Sequence, residues 1–157
     1  MRVAQSYAIF DQGTEMTCEV KIGGKDMKAL LDTGASISMI RRKELLGLGI
    51  TSKDLKLADV KVVQADGREI ELSGMICLPI IVEEIETMET FYVAPTLCRS
   101  MILGRNWLEG NKAKLSFNPA LLEVGGREIP LGNCRNEESV VVAPEDIVIR
   151  PRTAISC

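Results

Sequence analysis

Apolar and polar residues alternate early in this chain. Met16, Cys18, Val20 and Ile22 are interleaved with Thr17, Glu19 and Lys21, which predicts a half-buried strand. Gly23-Gly24 then offers the turn of a hairpin whose second arm, 27–31, ends in a continuous apolar run. Residues 37–40 predict another strand, and 41–46 a short helix that Gly47 and Gly49 would end. The β-prone runs 60–63 and 68–72 flank Ala65-Asp66-Gly67, and an Asp-Gly step between such runs is a strong hairpin signal. Residues 75–82 are nearly all apolar and predict a central strand, with Pro79 as its one misfit. An acidic turn around Glu83, Glu84 and Glu86 joins it to a strand over 89–93. Further on, 100–103 reads as a short apolar strand, followed by Gly104 and a helical turn that carries Trp107, the only tryptophan. Segments 112–117, 121–124 and 127–131 add short strands, the last two joined through Gly125-Gly126. About nine strands with one or two short helices predict an all-β, barrel-like domain.

Composition narrows the chemistry. A length of 157 residues suits one domain. The 19 Lys and Arg stand against 22 Asp and Glu, a net charge of −3 spread along the chain, so no basic stripe marks a nucleic-acid footprint. There is no histidine, which excludes Ser-His-Asp and Cys-His catalysis and every His-containing zinc site within the chain. Five cysteines at wide spacings, with no CxxC pair, read as reduced thiols in a cytoplasmic setting. No stretch approaches the roughly 18 apolar residues of a membrane span, and residues 1–10 lack the pattern of a signal peptide.

Against that background Ala29-Leu30-Leu31-Asp32-Thr33-Gly34-Ala35-Ser36 stands out, because the apolar run delivers a carboxylate from a buried strand end. A partly buried acid is costly unless backbone N–H groups satisfy it or it is poised for acid-base work. Peptide-bond hydrolysis by aspartates needs two carboxylates around one water, one taking a proton and one giving it. Only Asp32 has an Asp-Thr-Gly or Asp-Ser-Gly context, so a second chain would have to supply the partner, with the site on a two-fold axis.

These residues resemble a family. Leu30 to Ser36, the Asp66-Gly67 hairpin, and Ile102-Leu103-Gly104-Arg105-Asn106 starting 70 residues after the aspartate are similar to the retropepsins, dimeric aspartic proteases of retroviruses and retrotransposons. The stretch from Met101 through Leu108, Lys112-Ala113-Lys114-Leu115-Ser116-Phe117 and Gly126-Arg127-Glu128-Ile129-Pro130-Leu131 is most similar to the proteases of gypsy-type retrotransposon polyproteins. The resemblance implies a closed β-barrel of the acid-protease fold, one lobe per chain, acting as a two-fold homodimer on a peptide or polyprotein substrate. It implies no metal or organic cofactor, while the spread charge and the lack of an apolar span argue against nucleic acid and membrane as partners. Asp32 would be the catalytic carboxylate, Thr33 would brace the two turns across the dimer, and Gly34 would let the backbone turn tightly. Ala35 and Ser36 would line the substrate groove, Ala65, Asp66 and Gly67 would form the tip of a flap over it, and Ile102 would border a side-chain pocket. Leu103 and Gly104 would pack behind the catalytic turn, and Arg105 and Asn106 would begin a helix near the dimer contact. Many retroviral members carry an acid where Ser36 stands, and the flap tip here carries the charges of Asp66 and Arg68. The implied organisation is a leader over 1–13, the protease domain over 14–131, and an extension over 132–157 toward the next polyprotein region. The alternative is a retropepsin-fold module that dimerises or binds peptide without cleaving.

Overall fold

The computed structural model describes residues 2–6, 16–64 and 66–133. Thirteen strands and two α-helices are found among them: β1 (Arg2–Ser6), β2 (Met16–Ile22), β3 (Lys25–Leu31), β4 (Ser38–Arg41), α1 (Arg42–Gly47), β5 (Val60–Gln64), β6 (Glu69–Ile70), β7 (Gly74–Val82), β8 (Ile85–Ala94), β9 (Met101–Leu103), α2 (Arg105–Gly110), β10 (Lys114–Phe117), β11 (Ala120–Val124), β12 (Arg127–Pro130) and β13 (Gly132–Asn133). The largest sheet runs β13-β2-β3-β9-β4-β8-β7, and β7 returns to β2 through Lys21 and Ile81. Six strands, β2, β3, β9, β4, β8 and β7, therefore close a barrel. The hairpin β5–β6 stands apart as a second sheet, with β1 running parallel along β5 from Arg2 beside Val60 to Ser6 beside Gln64. Strands β10, β11 and β12 form a third, antiparallel sheet.

The apolar runs have a physical reason. Over their buried stretches, alternate residues of β3, β4, β8 and β9 face two different cores, so most positions there are apolar on both faces. Ala29, Leu31, Ile40, Phe91, Val93, Met101 and Leu103 join Val20, Ile80, Trp107 and Leu122 in the main core. Leu30, Met39, Tyr92, Ala94 and Ile102 turn the other way, into a second core with Ala35, Ile37 and the hairpin residues Val60, Val62 and Ile70. The hairpin is thus packed onto the barrel wall, and its root is tied by the Tyr92 hydroxyl, which donates to Asp59 Oδ1 at 2.7 Å.

Two expectations are corrected. Strand β7 is not the doubly covered central strand expected: it ends the sheet order and closes the barrel on β2 at a single paired position, with Ile80 and Val82 turned into the main core and Cys77 and Pro79 exposed on its outer face. The five cysteines are not all reduced, since Cys98 is disulfide-bonded, while Cys18 and Cys77 are free. Burial pushes the Cys18 thiol up to about 12, with a smaller push from Glu19, so it stays protonated in the core. Ala65 and the segments 7–15 and 134–157 lie outside the described residues, and with them most of the leader and extension expected from sequence. No helix among the described residues is long and apolar enough to cross a membrane.

Candidate active site

Strands β3 and β9 lie parallel, with Ala29 beside Met101, Leu30 beside Ile102 and Leu31 beside Leu103. Their C-terminal ends therefore bring Asp32 and Gly104 together, although 70 residues of chain separate Asp32 from Ile102. The Asp32 N–H continues the pairing by donating to Leu103 O at 3.0 Å. The turn then closes on itself: Ala35 N–H donates to Asp32 O at 3.1 Å, and Gly34 N–H donates to Asp32 Oδ1 at 2.9 Å. Asp32 is only 4% exposed. Its carboxyl is thus oriented by the backbone of its own turn while Thr33, next to it, is exposed.

The far side of the turn is held by the β9–α2 junction. Arg105 N–H donates to Ala35 O at 2.8 Å. Gly104 has no room for a side chain, because a Cβ there would lie 2.2 Å from Ile37 O and 2.7 Å from Ala35 O. Its N–H donates to Ser38 Oγ at 3.1 Å, and the Ser38 hydroxyl donates to Asn106 Oδ1 at 2.7 Å. Asn106 Oδ1 also accepts from Trp107 N–H at 2.8 Å, and Asn106 Nδ2 donates to Glu89 Oε2 at 2.6 Å. Burial pushes the Glu89 carboxyl above its ordinary range, partly offset by the Thr90 N–H that it accepts at 3.0 Å. Trp107 in turn is fixed in the main core, its indole N–H donating to Thr87 Oγ1 at 3.1 Å.

The residues singled out from sequence fall into separate places. Asp32, Gly34, Ala35, Leu103, Gly104 and the backbone of Arg105 form one hydrogen-bonded unit, and Asn106 is linked to it through Ser38. Ile102 is fully enclosed in the second core with Leu30, Ala35 and Val62. Ser36 is half-buried beside the turn. Asp66 and Gly67 sit at the exposed end of the hairpin, where Gly67 has the positive φ of +91° that its turn requires. There Asp66 accepts from Arg68 N–H at 2.9 Å and from Arg68 Nε at 2.8 Å, so the two charges at the tip are spent on each other. The Arg68 N–H first, and then its guanidinium, hold the Asp66 carboxyl below its usual range. Arg105 is exposed and its side chain makes no ion pair among the described residues. Ser38 and Glu89 were not singled out from sequence. The signal for Glu89 was its phase, two and four residues before Phe91 and Val93 on the inward face of β8.

A closed six-strand barrel, an Asp-Thr-Gly turn at the end of one of two parallel strands and a β-hairpin packed above define the retropepsin fold. The match to solved structures agrees. The retroviral protease-like domain of Ddi1 from Leishmania major is similar with a TM-score of 0.65 and 18% identity, over 82% of this chain and 98% of that one. EIAV protease, solved with the inhibitor HBY-793, gives 0.55 and 23% over 69% and 99% of the two chains. A retropepsin-like aspartic protease from Rickettsia conorii gives 0.50 and 18% over 71% and 82%. Residues 18–110, more than half of the chain, match the family described as "gag-polyprotein putative aspartyl protease", and the chain belongs to that family. No curated protein matches it.

Proposed function

We propose that this protein is an aspartic endopeptidase whose active form is a homodimer, each subunit supplying one Asp32. The observation that carries this reading is a nearly buried carboxyl aimed by its own turn, with Oδ1 held by Gly34 N–H at 2.9 Å and the exposed Thr33 beside it. Two such turns meeting on a two-fold axis put two carboxylates around one water, where like charges cannot both ionise and the pair keeps one proton. The ionised carboxylate takes a proton from the water as its oxygen bonds to the scissile carbonyl carbon, and the protonated one gives its proton to the carbonyl oxygen. Collapse of the tetrahedral intermediate breaks the C–N bond, the departing nitrogen taking a proton, and the dyad returns to one proton.

An extended peptide would lie between the turn and the flap, contacted by Ala35, Ser36, Asp66 and Gly67 and by Ala65 at the tip. Ile102 would act from beneath, as part of the apolar floor. Thr33 would brace the paired turns, with Arg105 and Asn106 close to the contact. The substrate we infer is the gypsy-type retrotransposon polyprotein from which such a domain is cut, processed in the cytoplasm or within virus-like particles.

The test is cleavage of an unstructured protein between about pH 4 and pH 7 by the chain and by Asp32→Asn. Cleavage that requires Asp32 and declines as the shared proton is lost at higher pH supports the reading. A folded, dimeric chain that cleaves nothing, or an Asp32→Asn variant that cleaves as well, refutes it and leaves a peptide-binding or dimerising module.

A further inference from the structure

Four polar side chains are buried among the described residues: Thr17, Asp32, Ser38 and Glu89. Two of them, Ser38 and Glu89, belong to one line of hydrogen bonds that ends at the glycine behind the Asp32 turn. We propose that Glu89 is a positioning residue for that turn, acting through Asn106 and Ser38 on Gly104; this rests on the endopeptidase reading above.

The direction of every bond in the line is fixed by what each group can do. Trp107 N–H can only donate, so the atom of the Asn106 amide that faces it must be Oδ1, and Nδ2 must then find an acceptor. Glu89 Oε2 is that acceptor, at 2.6 Å. With Oδ1 turned toward Ser38, the serine hydroxyl must donate to it at 2.7 Å, which leaves its lone pairs for Gly104 N–H at 3.1 Å. Remove the acceptor at position 89, and a buried amide is left unsatisfied or flips, reversing what it offers to Ser38 and Trp107.

The far end of the line has no slack. Gly104 is pressed against the backbone of the Asp32 loop so closely that an added Cβ would be 2.2 Å from Ile37 O. Its neighbours on either side are bonded to that loop, Leu103 O by Asp32 N–H at 3.0 Å and Arg105 N–H to Ala35 O at 2.8 Å. A displacement of Gly104 must therefore move the turn that aims Asp32, and catalysis is sensitive to shifts of about 1 Å in a reacting group. Glu89 itself touches none of the reacting atoms. What position 89 must supply is an acceptor, whether ionised or not, so Gln, which keeps a carbonyl oxygen in the same place, should serve and Ala should not.

The experiment compares the full-length chain with Glu89→Ala, Glu89→Gln and Ser38→Ala, measuring kcat and KM on one peptide and the hydrogen exchange of the Asp32 and Gly104 amides. Glu89→Ala and Ser38→Ala should lower kcat by roughly tenfold or more with KM changed less than about twofold, and should speed exchange at both amides. Glu89→Gln should restore kcat to within about threefold and restore protection. If Glu89→Ala fails to fold, Ser38→Ala, which removes a single hydroxyl, carries the same expectation. The proposal is overturned if Glu89→Ala or Ser38→Ala keeps wild-type kcat and exchange, or if Glu89→Gln is as impaired as Glu89→Ala. If the wild-type chain cleaves nothing, the endopeptidase reading fails, while the exchange of Asp32 and Gly104 in the variants still decides whether Glu89 positions the turn.

Discussion

In the proposed site Asp32 and Gly104 act as a pair, one by what its side chain presents and the other by having none. The backbone φ of Gly104 is −94°, which any residue adopts, so its requirement is for space and not for a special conformation. The atoms that crowd it are backbone carbonyl oxygens of Ile37 and Ala35 rather than the ends of flexible side chains. Gly104→Ala should therefore lower stability by about 1–3 kcal/mol, read as a fall in the urea midpoint at unchanged slope; an unchanged midpoint would show that the loop yields. Both residues were legible in the sequence, since an acid after an apolar run and a glycine between a strand and a helix break their local patterns. Ser38 and Glu89 were not. Each is a polar residue in a strand that carries other polar residues and whose pattern is ordinary, and only the three-dimensional register shows them facing the same asparagine.

At the scale of elements, the hairpins followed from their turns. Gly23-Gly24 joins β2 to β3 with φ values of +59° and +82°, and Gly125-Gly126 joins β11 to β12 with +60° and +80°, conformations that glycine adopts at no steric cost. The expected 68–72 arm of the hairpin is reduced to Glu69–Ile70; at its near end Arg68 belongs to the turn with Asp66 and Gly67, its carbonyl accepting from Gln64 N–H at 2.8 Å. The central placement of β7 failed because an apolar run says that a strand is covered without saying by what. Ile80 and Val82 are buried in the main core, whereas the alternate positions Cys77 and Pro79 face outward. The flap tip yields a prediction of its own. With Asp66 and Arg68 paired at 2.8 Å, the tip offers little net charge to a substrate. The wild-type chain should then cleave paired peptides that differ only by Glu or Gln beside the flap at similar kcat/KM. Asp66→Ala, which releases Arg68, should favour the Glu peptide by roughly two- to fivefold, the reach of one exposed charge. Asp66→Ala combined with Arg68→Ala should return the ratio to the wild-type value, and a ratio that is the same in all three proteins would remove the tip from specificity.

For the whole molecule, the decisive contacts join strands far apart in sequence. The parallel pairing of β3 with β9 and the return of β7 to β2 have no local signal, and the first of them brings Asp32 and Gly104 together. Periodicity reached an all-β barrel, and the closed six-strand form was expected only through the resemblance carried by the Asp32 and Gly104 motifs. The same pairing brings a single Asp-Thr-Gly turn to the barrel's edge, and no second such turn exists in the sequence, so the proposed dyad takes its other aspartate from a second chain. A site shared between two chains has a consequence that no single-chain site has, because an inactive subunit must disable its partner. The most direct measurement is therefore the activity of a fixed amount of wild-type protein, pre-equilibrated with increasing amounts of Asp32→Asn. Random pairing predicts that activity falls to about one half with an equal amount of the variant and to about one tenth with a ninefold excess. Activity that stays constant across the series would place both catalytic groups within one chain and contradict the shared Asp32 dyad.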